Sequence, residues 1–504
     1  MIHSVIFDDQ IKVWWDYTPK FRNGYGFKVV FDGSKILTTD KYNASFKNLL
    51  PETEYTFRVT LHDQNGFEVD FIGETTIKTL PEKENIDVTK APYYAVGDGK
   101  TLNTKAIQKA IDDCKPNQKV YIPDGVFMTG ALNLKSDVEL YLTDGATLQG
   151  VTDIEEYSPK VKCRFEGYAN ECYRSLLNAG EYDKKGGFNC QNVVIRGGKI
   201  LGGGDELRQK IIETEAKIVL KENGLDHLVN PPFHFAKEIP GRRRGRLLRT
   251  TNTRNVIVAD CTIGDGPCWN LHFIYSDNIV TCGCNIVSHK ISNGDGWDPD
   301  SSTNCTIFDT VFDTGDDCVA IKSGKNLEGY LVGRPSKHIK VFDCVAKDGH
   351  GLAIGSEMSG GVEDVTIWNC DMMKAGTGIC IKTNSMRGGF IKDVKVYAVK
   401  VPRIIVNNYQ GNNDGDPAPY PPVLENFVFE NVEVAGLLKI TGTERIEKVS
   451  AIQVDVTEDN KLKGLTIKNV KTLYNGLSPW QMLEINNVEN VVIENVLCKG
   501  ETEF

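Results

Sequence analysis

The sequence predicts an almost entirely β chain, a long parallel β-helix preceded by a small antiparallel sandwich, and three observations carry that prediction. From about residue 190 one pattern recurs, in QNVVIRGGKI, RNVIVADCTI, DNIVTCGCNI, TNCTIFDTVF, KHIKVFDCVA, EDVTIWNCDM and KDVKVYAVKV. Each copy opens on a polar residue and continues with apolar positions alternating at period two, which excludes a helical solenoid. Aligned on Asn255, Asn278, Asn304, His338, Asp364 and Asp393, the copies are 23, 26, 34, 26 and 29 residues apart. Those intervals suit the coils of a β-helix, with residues looped out where the interval is longest. Ahead of the repeat, the runs IKVWWDY, GYGFKVVF, TEYTFRVTL, FEVDFI and TTIKTL are spaced by turn residues, as in a small sandwich. The expected division is a sandwich over 1–82 and a β-helix over 83–504.

The connecting elements follow in order. Pro81 to Asn85 reads as a charged linker. In VGDGKTLNTKAIQKAIDDC, Asn103 or Thr104 is a plausible N-cap, and Ala106, Ile107, Ala110 and Ile111 share one helical face. One amphipathic helix before a long β stretch fits a cap on an open stack of strands. Two long inserts, about 151–190 and 202–250, interrupt the coils. Cys261, Cys284, Thr310, Cys344 and Cys370 each fall six residues after the start of a unit. That repeated slot reads as an inward ladder of small side chains. Disulfides between coils are the weaker reading, and no pair of CxxC motifs has zinc spacing.

A hydrophobic share of 40% and a charged share of 25% are those of an ordinary folded soluble protein. The formal charge of −10 argues against nucleic acid as a partner and requires any polyanion site to be a local basic patch. The opening MIHSVIFDDQIKVWWDY lacks a cationic segment followed by an apolar one, so it does not read as a signal peptide, and no apolar run reaches membrane-spanning length. The expected location is cytoplasmic, with secretion or a periplasmic location the alternative if a leader has been removed.

The chemistry concentrates between Ser292 and Ser356, in SNGDGWDPDSS, TGDDCVAIKSG and KDGHGLAIGSEMSGG. Asp295, Asp316, Asp317 and His350 sit there in Gly-rich turns, each beside a short β-type run. Carboxylates and an imidazole gathered by successive turns are what glycosidic hydrolysis needs: one group protonates the leaving oxygen and others activate water. The adjacent charges of Asp316 and Asp317 should help keep one carboxyl protonated. An aspartate in such a turn is more often a turn former, and Asp298 and Asp300 are read that way. The glycines flanking His350 suggest close approach of a ligand.

Two resemblances sharpen this reading. Leu50-Pro51-Glu52-Thr53-Glu54-Tyr55-Thr56-Phe57-Arg58-Val59 resembles the late-strand segment of fibronectin type III domains, where the tyrosine forms a corner. From about Asp87 to the C-terminus the chain resembles glycoside hydrolase family 28, the polygalacturonase family of right-handed parallel β-helices. That family carries, in order, Asn-Thr-Asp, Gly-Asp-Asp, Gly-His-Gly and Arg-Ile-Lys. Here they stand as Asn293-Gly294-Asp295, Gly315-Asp316-Asp317, Gly349-His350-Gly351 and Cys380-Ile381-Lys382, so Gly294 and Cys380 depart from the pattern. The resemblance implies Asp316 as general acid, Asp295 and Asp317 as activators of water in an inverting attack, and His350 as support for the acid. It implies Lys382, with Asn293 nearby, as a ligand of the substrate carboxylate.

Cys380 cannot supply the bidentate grip of the family arginine. Substitutes are sought in the cluster Arg242–Arg246, with Arg246 among them, and in Arg387 and Lys322; the cluster would form one wall of the cleft. The expected partner is a pectic oligo- or polysaccharide, with no cofactor or metal. The missing arginine leaves rhamnogalacturonan or substituted galacturonan open beside homogalacturonan. The appended sandwich and the long inserts resemble exo-acting bacterial members and point to exo action. The rivals are a Ca²⁺-dependent β-helix lyase, faintly echoed by Val401-Pro402-Arg403, and a glycan-binding β-helix without catalysis.

Overall fold

The computed structural model describes residues 1–22, 24–222, 224, 240–288, 291–409, 411, 414–439, 445–472 and 479–498. The central part of the second insert, 225–239, lies outside the described residues. Parallel sheets of 15, 8 and 11 strands build the β-helix. Val256 pairs with Ile279, Ile279 with Cys305, Cys305 with Ile339, Ile339 with Val365 and Val365 with Val394. These steps reproduce the intervals read from the sequence. The longest of these intervals, from Asn304 to His338, holds a looped-out helix, Asn326–Val332.

The polar residue that opens each unit has a backbone reason. Asn255, Asn278, Asn304, His338, Asp364 and Asp393 all have φ between 53° and 58°. In this left-handed region Asn and Asp are enriched because their short polar side chains bond locally. The side chains then stack from coil to coil: Asn278 Nδ2 donates to Asn255 Oδ1 at 2.8 Å, and Asn255 Nδ2 to Asn192 Oδ1 at 2.7 Å. Cys261, Cys284, Thr310, Cys344 and Cys370 occupy the expected inward ladder, all buried. Cys261 and Cys284 touch as thiols, Sγ to Sγ 3.7 Å.

Helix α1 (Thr104–Asp113) lays Ile107, Ala110 and Ile111 against the first coils. Asn103 precedes it but makes no side-chain cap. It fastens the preceding turn instead: Oδ1 accepts from the Val96 N–H at 2.7 Å, and Nδ2 donates to the Thr101 carbonyl at 2.7 Å.

The N-terminal strands are β1 (Ile2–Ile6), β2 (Gln10–Trp15), β3 (Gly26–Phe31), β4 (Lys35–Thr39), β5 (Asn43–Lys47), β6 (Glu54–His62) and β7 (Glu68–Lys78). They form two antiparallel sheets, β1-β2-β5 and β4-β3-β6-β7. The Tyr55 hydroxyl accepts from the Leu50 N–H at 2.9 Å. These sheets share an apolar cluster with the outer side of the β-helix. There Phe308, Phe342 and Trp368 stack on successive coils, centroids 5.0 and 4.2 Å apart, and Trp14 lies 5.4 Å from Phe342. Among the described residues no helix is long and apolar enough to cross a membrane.

Candidate active site

The site lies where the chain enters one parallel sheet, in the order β8 (Leu271–Ile274), β9 (Trp297–Asp300), β10 (Val319–Ile321), β11 (Gly351–Ile354), β12 (Gly378–Thr383) and β13 (Arg403–Asn408). Leu271, Trp297, Val319, Leu352, Ile379 and Ile404 align in register and fill the core. Because side chains alternate along a strand, the next residue of each points outward. That outer row reads His272, Asp298, Ala320, Ala353, Cys380 and Ile405. Small side chains at its centre leave a floor beside the catalytic candidates.

Asp295 lies two residues before β9, Asp316 and Asp317 precede β10, and His350 precedes β11. The entry turns are stitched together by backbone bonds: Gly296 N–H to the Asp317 carbonyl at 2.9 Å, and His350 N–H to the Asp316 carbonyl at 2.9 Å. The glycines beside His350 answer to this closeness. A side chain at Gly349 (φ 114°) would collide with Thr314 and the Asp316 carbonyl, and one at Gly351 (φ 108°) with the Gly378 carbonyl. Their neighbours are protein, which replaces the ligand-approach explanation.

Each of the three entry-turn aspartates has its own cation. His350 Nδ1 lies 3.0 Å from Asp316 Oδ1 and 3.8 Å from Asp317 Oδ1. Lys382 Nζ lies 2.9 Å from Asp317 Oδ2. Lys322 Nζ lies 3.2 Å from Asp295 Oδ2 and 3.5 Å from Asp298 Oδ1. The side chains of Asp316, His350 and Lys382 are 25%, 31% and 20% exposed, so they form the accessible rim over a buried floor.

Burial pushes Asp295 well above the ordinary carboxylate range; Lys322 opposes this, while Asp298, Asp316 and Asp317 add to it. Asp298 is pushed up to about 7, again by burial against the pull of Lys322. For Asp316 burial acts upward, but the hydrogen bond and charge of His350 and the charge of Lys382 outweigh it and hold the carboxyl below its usual value. His350 is raised in return, chiefly by its hydrogen bond to Asp316. Asp316 and His350 therefore behave as a coupled pair. The Asp–Asp repulsion expected to keep one carboxyl protonated is thus outweighed at Asp316 by His350 and Lys382.

Asp316, Asp317 and His350 also have donor atoms within 4.8 Å of one another, the spacing of a metal site. The Lys382 ammonium against Asp317 and the His350–Asp316 contact already engage these carboxylates.

Several expected substrate ligands sit elsewhere. Arg246 is fully buried, its guanidinium 4.3 Å from the Phe165 ring and 4.6 Å from the Trp269 ring, donating to the Arg244 and Arg164 carbonyls. Arg387 is buried and donates to the Ser356 carbonyl and Asn326 Oδ1. Lys322 is buried over Trp269, 4.7 Å from its ring, among Asp295, Asp298 and Glu357. In each case internal carbonyls, rings or carboxylates have claimed the charge. Asn293 (φ 56°) accepts from Arg244 Nη2 at 3.0 Å, so Arg244 steadies the turn that carries Asp295. Arg242 joins Glu166 of the first insert to Asp414, donating to both carboxylates. The arginine cluster is thus the internal fastening of a wall.

Asp298, Trp269, Glu357 and Arg403 were not singled out by the sequence as site residues. The alternation Trp297-Asp298-Pro299-Asp300 held the signal for Asp298: with Trp297 in the core, the aspartates must face the lysine row. Arg403 opens β13, paired with Gly378 two positions before Cys380. It donates to Gln453, and its Nε is buried without a hydrogen-bond partner among the described residues.

The chain is 28% identical over 494 residues to an exo-poly-alpha-D-galacturonosidase of Dickeya chrysanthemi, covering 88% of this chain and 81% of that one. It is 30% identical over 415 residues to a protein of Vitis vinifera named as a polygalacturonase, covering 77% and 78%. A family 28 exopolygalacturonase of Yersinia enterocolitica shares the fold at TM-score 0.79 and 24% identity, over 100% of this chain and 96% of that one. A hyperthermoactive exopolygalacturonase of Thermotoga maritima matches at TM-score 0.67 and 26% identity, over 84% and 93%. The model of glycosyl hydrolases family 28 matches residues 234–498, more than half of the sequence. The chain, a glycoside hydrolase, belongs to glycosyl hydrolases family 28.

Proposed function

We propose that this enzyme hydrolyses α-1,4-galacturonosidic bonds of polygalacturonate or its oligomers, from chain ends and with inversion at the anomeric carbon. One observation carries the reading: three carboxylates on the entry turns of neighbouring coils, each beside a cation, above a floor of small side chains. The coils of such a sheet are about 4.8 Å apart, so groups on adjacent coils flank one sugar.

In this reading Asp316 gives its proton to the leaving oxygen, while Asp295 and Asp317 take the proton of an attacking water. A bound galacturonate brings its own negative charge beside the Asp316–His350 pair. That charge raises Asp316 and moves the shared proton toward the oxygen that needs it. Lys382 holds the substrate carboxylate, and Arg403, the guanidinium nearest in register to Cys380, supplies the grip the family arginine would give. Exo action is supported by the fastening of the inserts, where Arg242 and Lys325 both bind Asp414 and join its loop to the first insert's hairpin, Val161–Phe165 with Tyr168–Cys172, as one wall. Two domains, 1–82 and 83–504, fit the two sets of sheets. The Tyr55–Leu50 bond is that of a tyrosine corner and favours a fibronectin type III-like first domain. Unpaired buried cysteines suit a reducing compartment, where the substrates would be imported oligomers.

Product analysis on oligogalacturonides of defined length tests the reading. Release of saturated monomer in the inverted configuration, insensitive to chelator, is expected. Unsaturated, ultraviolet-absorbing ends would establish a lyase instead, and cleavage of rhamnogalacturonan fragments alone would move the substrate.

A further inference from the structure

We propose that Lys322 and Asp298 are positioning residues that set the ionisation of Asp295 in opposite directions, and that Lys322 is not a ligand of the substrate. The inference rests on reading Asp295 as a water-activating base.

The geometry leaves the lysine no free face for a sugar. Its ammonium has Asp295 Oδ2 at 3.2 Å, Asp298 Oδ1 at 3.5 Å, Glu357 Oε2 at 4.0 Å and the Trp269 ring at 4.7 Å, and its side chain is 5% exposed. Asp300, bridged to Lys322 through the backbone, is neutralised separately: Arg164 Nη1 lies 2.9 Å from its Oδ1 and His272 Nε2 3.2 Å from its Oδ2. One ammonium therefore serves two buried aspartates that no other cation of the described residues contacts. Asp295 Oδ1 and both oxygens of Asp298 are buried with no N–H or hydroxyl donor among the described residues, and the two carboxyls lie within hydrogen-bond reach of each other.

A buried carboxyl without donors takes up a proton unless a cation holds it ionised. Two such carboxyls around one lysine compete for it, so the three groups hold fewer charges than their number suggests. The other groups in range are Asp316 and Asp317, which work against ionisation of Asp295, and Arg246 behind Asp298, which favours it there. Lys382 and His350 are engaged with Asp317 and Asp316. Asp295 can act as a base only while Lys322 favours its anion, and Asp298 competes with it for that one cation. Burial and the neighbouring carboxylates push Asp295 upward, and Lys322 is the opposing influence. Lys322 itself stays charged, because Asp295, Asp298, Glu357 and Asp317 outweigh its burial.

Substitution should therefore move the acid limb of the kcat/KM–pH profile, which reports the base of the free enzyme. Lys322→Met keeps the stem over Trp269 and removes the charge; the acid limb is expected to rise by about 1–3 pH units. Asp298→Asn keeps the shape and removes the competitor; the limb is expected to fall by about one unit. The opposite signs are the test, and Asp298→Asn is near-isosteric, so it stands if Lys322→Met fails to fold. An unmoved limb in Asp298→Asn overturns the proposal. So does a Lys322→Met enzyme with raised KM for trigalacturonate and an unmoved limb, since that describes a substrate ligand. Movement of the alkaline limb alone also overturns it, because Asp295 would then be the proton donor. Failure of the underlying reading looks different: the wild-type enzyme would leave trigalacturonate uncleaved.

Discussion

Two buried aspartates of this β-helix, Asp343 and Asp298, are both pushed by burial to about 7, yet they live in opposite surroundings. Asp343 faces the N-terminal sheets. Its Oδ2 accepts from the Tyr42 N–H and from Asn43 Nδ2, each at 2.7 Å, and its Oδ1 from Asn369 Nδ2 at 2.5 Å. Every one of those donors is neutral, and both oxygens are satisfied. Asp298 lies beneath the catalytic rim, with no N–H or hydroxyl donor of the described residues on either oxygen, the Asp295 carboxyl within hydrogen-bond reach and a shared ammonium at 3.5 Å. A perturbed carboxyl alone therefore does not mark a catalytic site. What separates the two is satisfaction: the joint closes its hydrogen bonds, whereas the groove keeps open acceptors and competing charges.

The largest expected effect lies on the groove side. Asp316→Asn is expected to lower kcat by about 10²–10⁴-fold, the usual worth of a positioned acid, with thermal unfolding near that of the parent. Near-normal turnover on oligogalacturonides would remove Asp316 from its role and leave the contrast with Asp343 without its functional half. A smaller effect is expected at the far edge of the same floor. Arg403→Ala should raise KM for oligogalacturonides by about 10–100-fold with kcat little changed, the loss of a hydrogen bond between charged groups. An unchanged KM would show that Lys382 alone holds the carboxylate and that Cys380 is uncompensated.

The same contrast explains what the sequence disclosed. The coil intervals were legible because Asn255, Asn278, Asn304, His338, Asp364 and Asp393 must all take a left-handed backbone, which few residue types tolerate. The entry-turn positions of Asp295, Asp316, Asp317 and His350 were legible because glycine-rich turns recur at the start of outward strands. Arg246 and Arg387 were misplaced because charge in a sequence says nothing of its cover. The rings over Arg246 come from Phe165 and Trp269, which only the folded inserts bring together. Arg403, singled out only in the faint lyase echo, was not placed beside Cys380 because its neighbour, Gly378, lies a whole coil earlier. Its nearness to Cys380 follows once the register is known, and the repeat was enough to supply that register.

The smallest effect belongs to the joint. The pKa of Asp343 is raised on folding, from near 3.9 in an unfolded chain to about 7. The native state therefore binds the extra proton. This contribution to stability is complete below the unfolded pKa and is lost as pH rises through about 7. Thermal unfolding should accordingly fall by several degrees between acid and neutral pH, through Asp343 among other groups. In Asp343→Asn the amide cannot ionise, so that part of the slope should flatten while turnover on oligogalacturonides at neutral pH stays that of the parent. Asn at this position can still accept from Tyr42 and Asn43 through its carbonyl, but its NH₂ would face Asn369 Nδ2 unless that amide turns over. A lower unfolding temperature with a flatter slope is thus the expected signature. A slope unchanged by Asp343→Asn would mean that Asp343 stays ionised beside its three donors, and the kinship in burial between the two aspartates would end there.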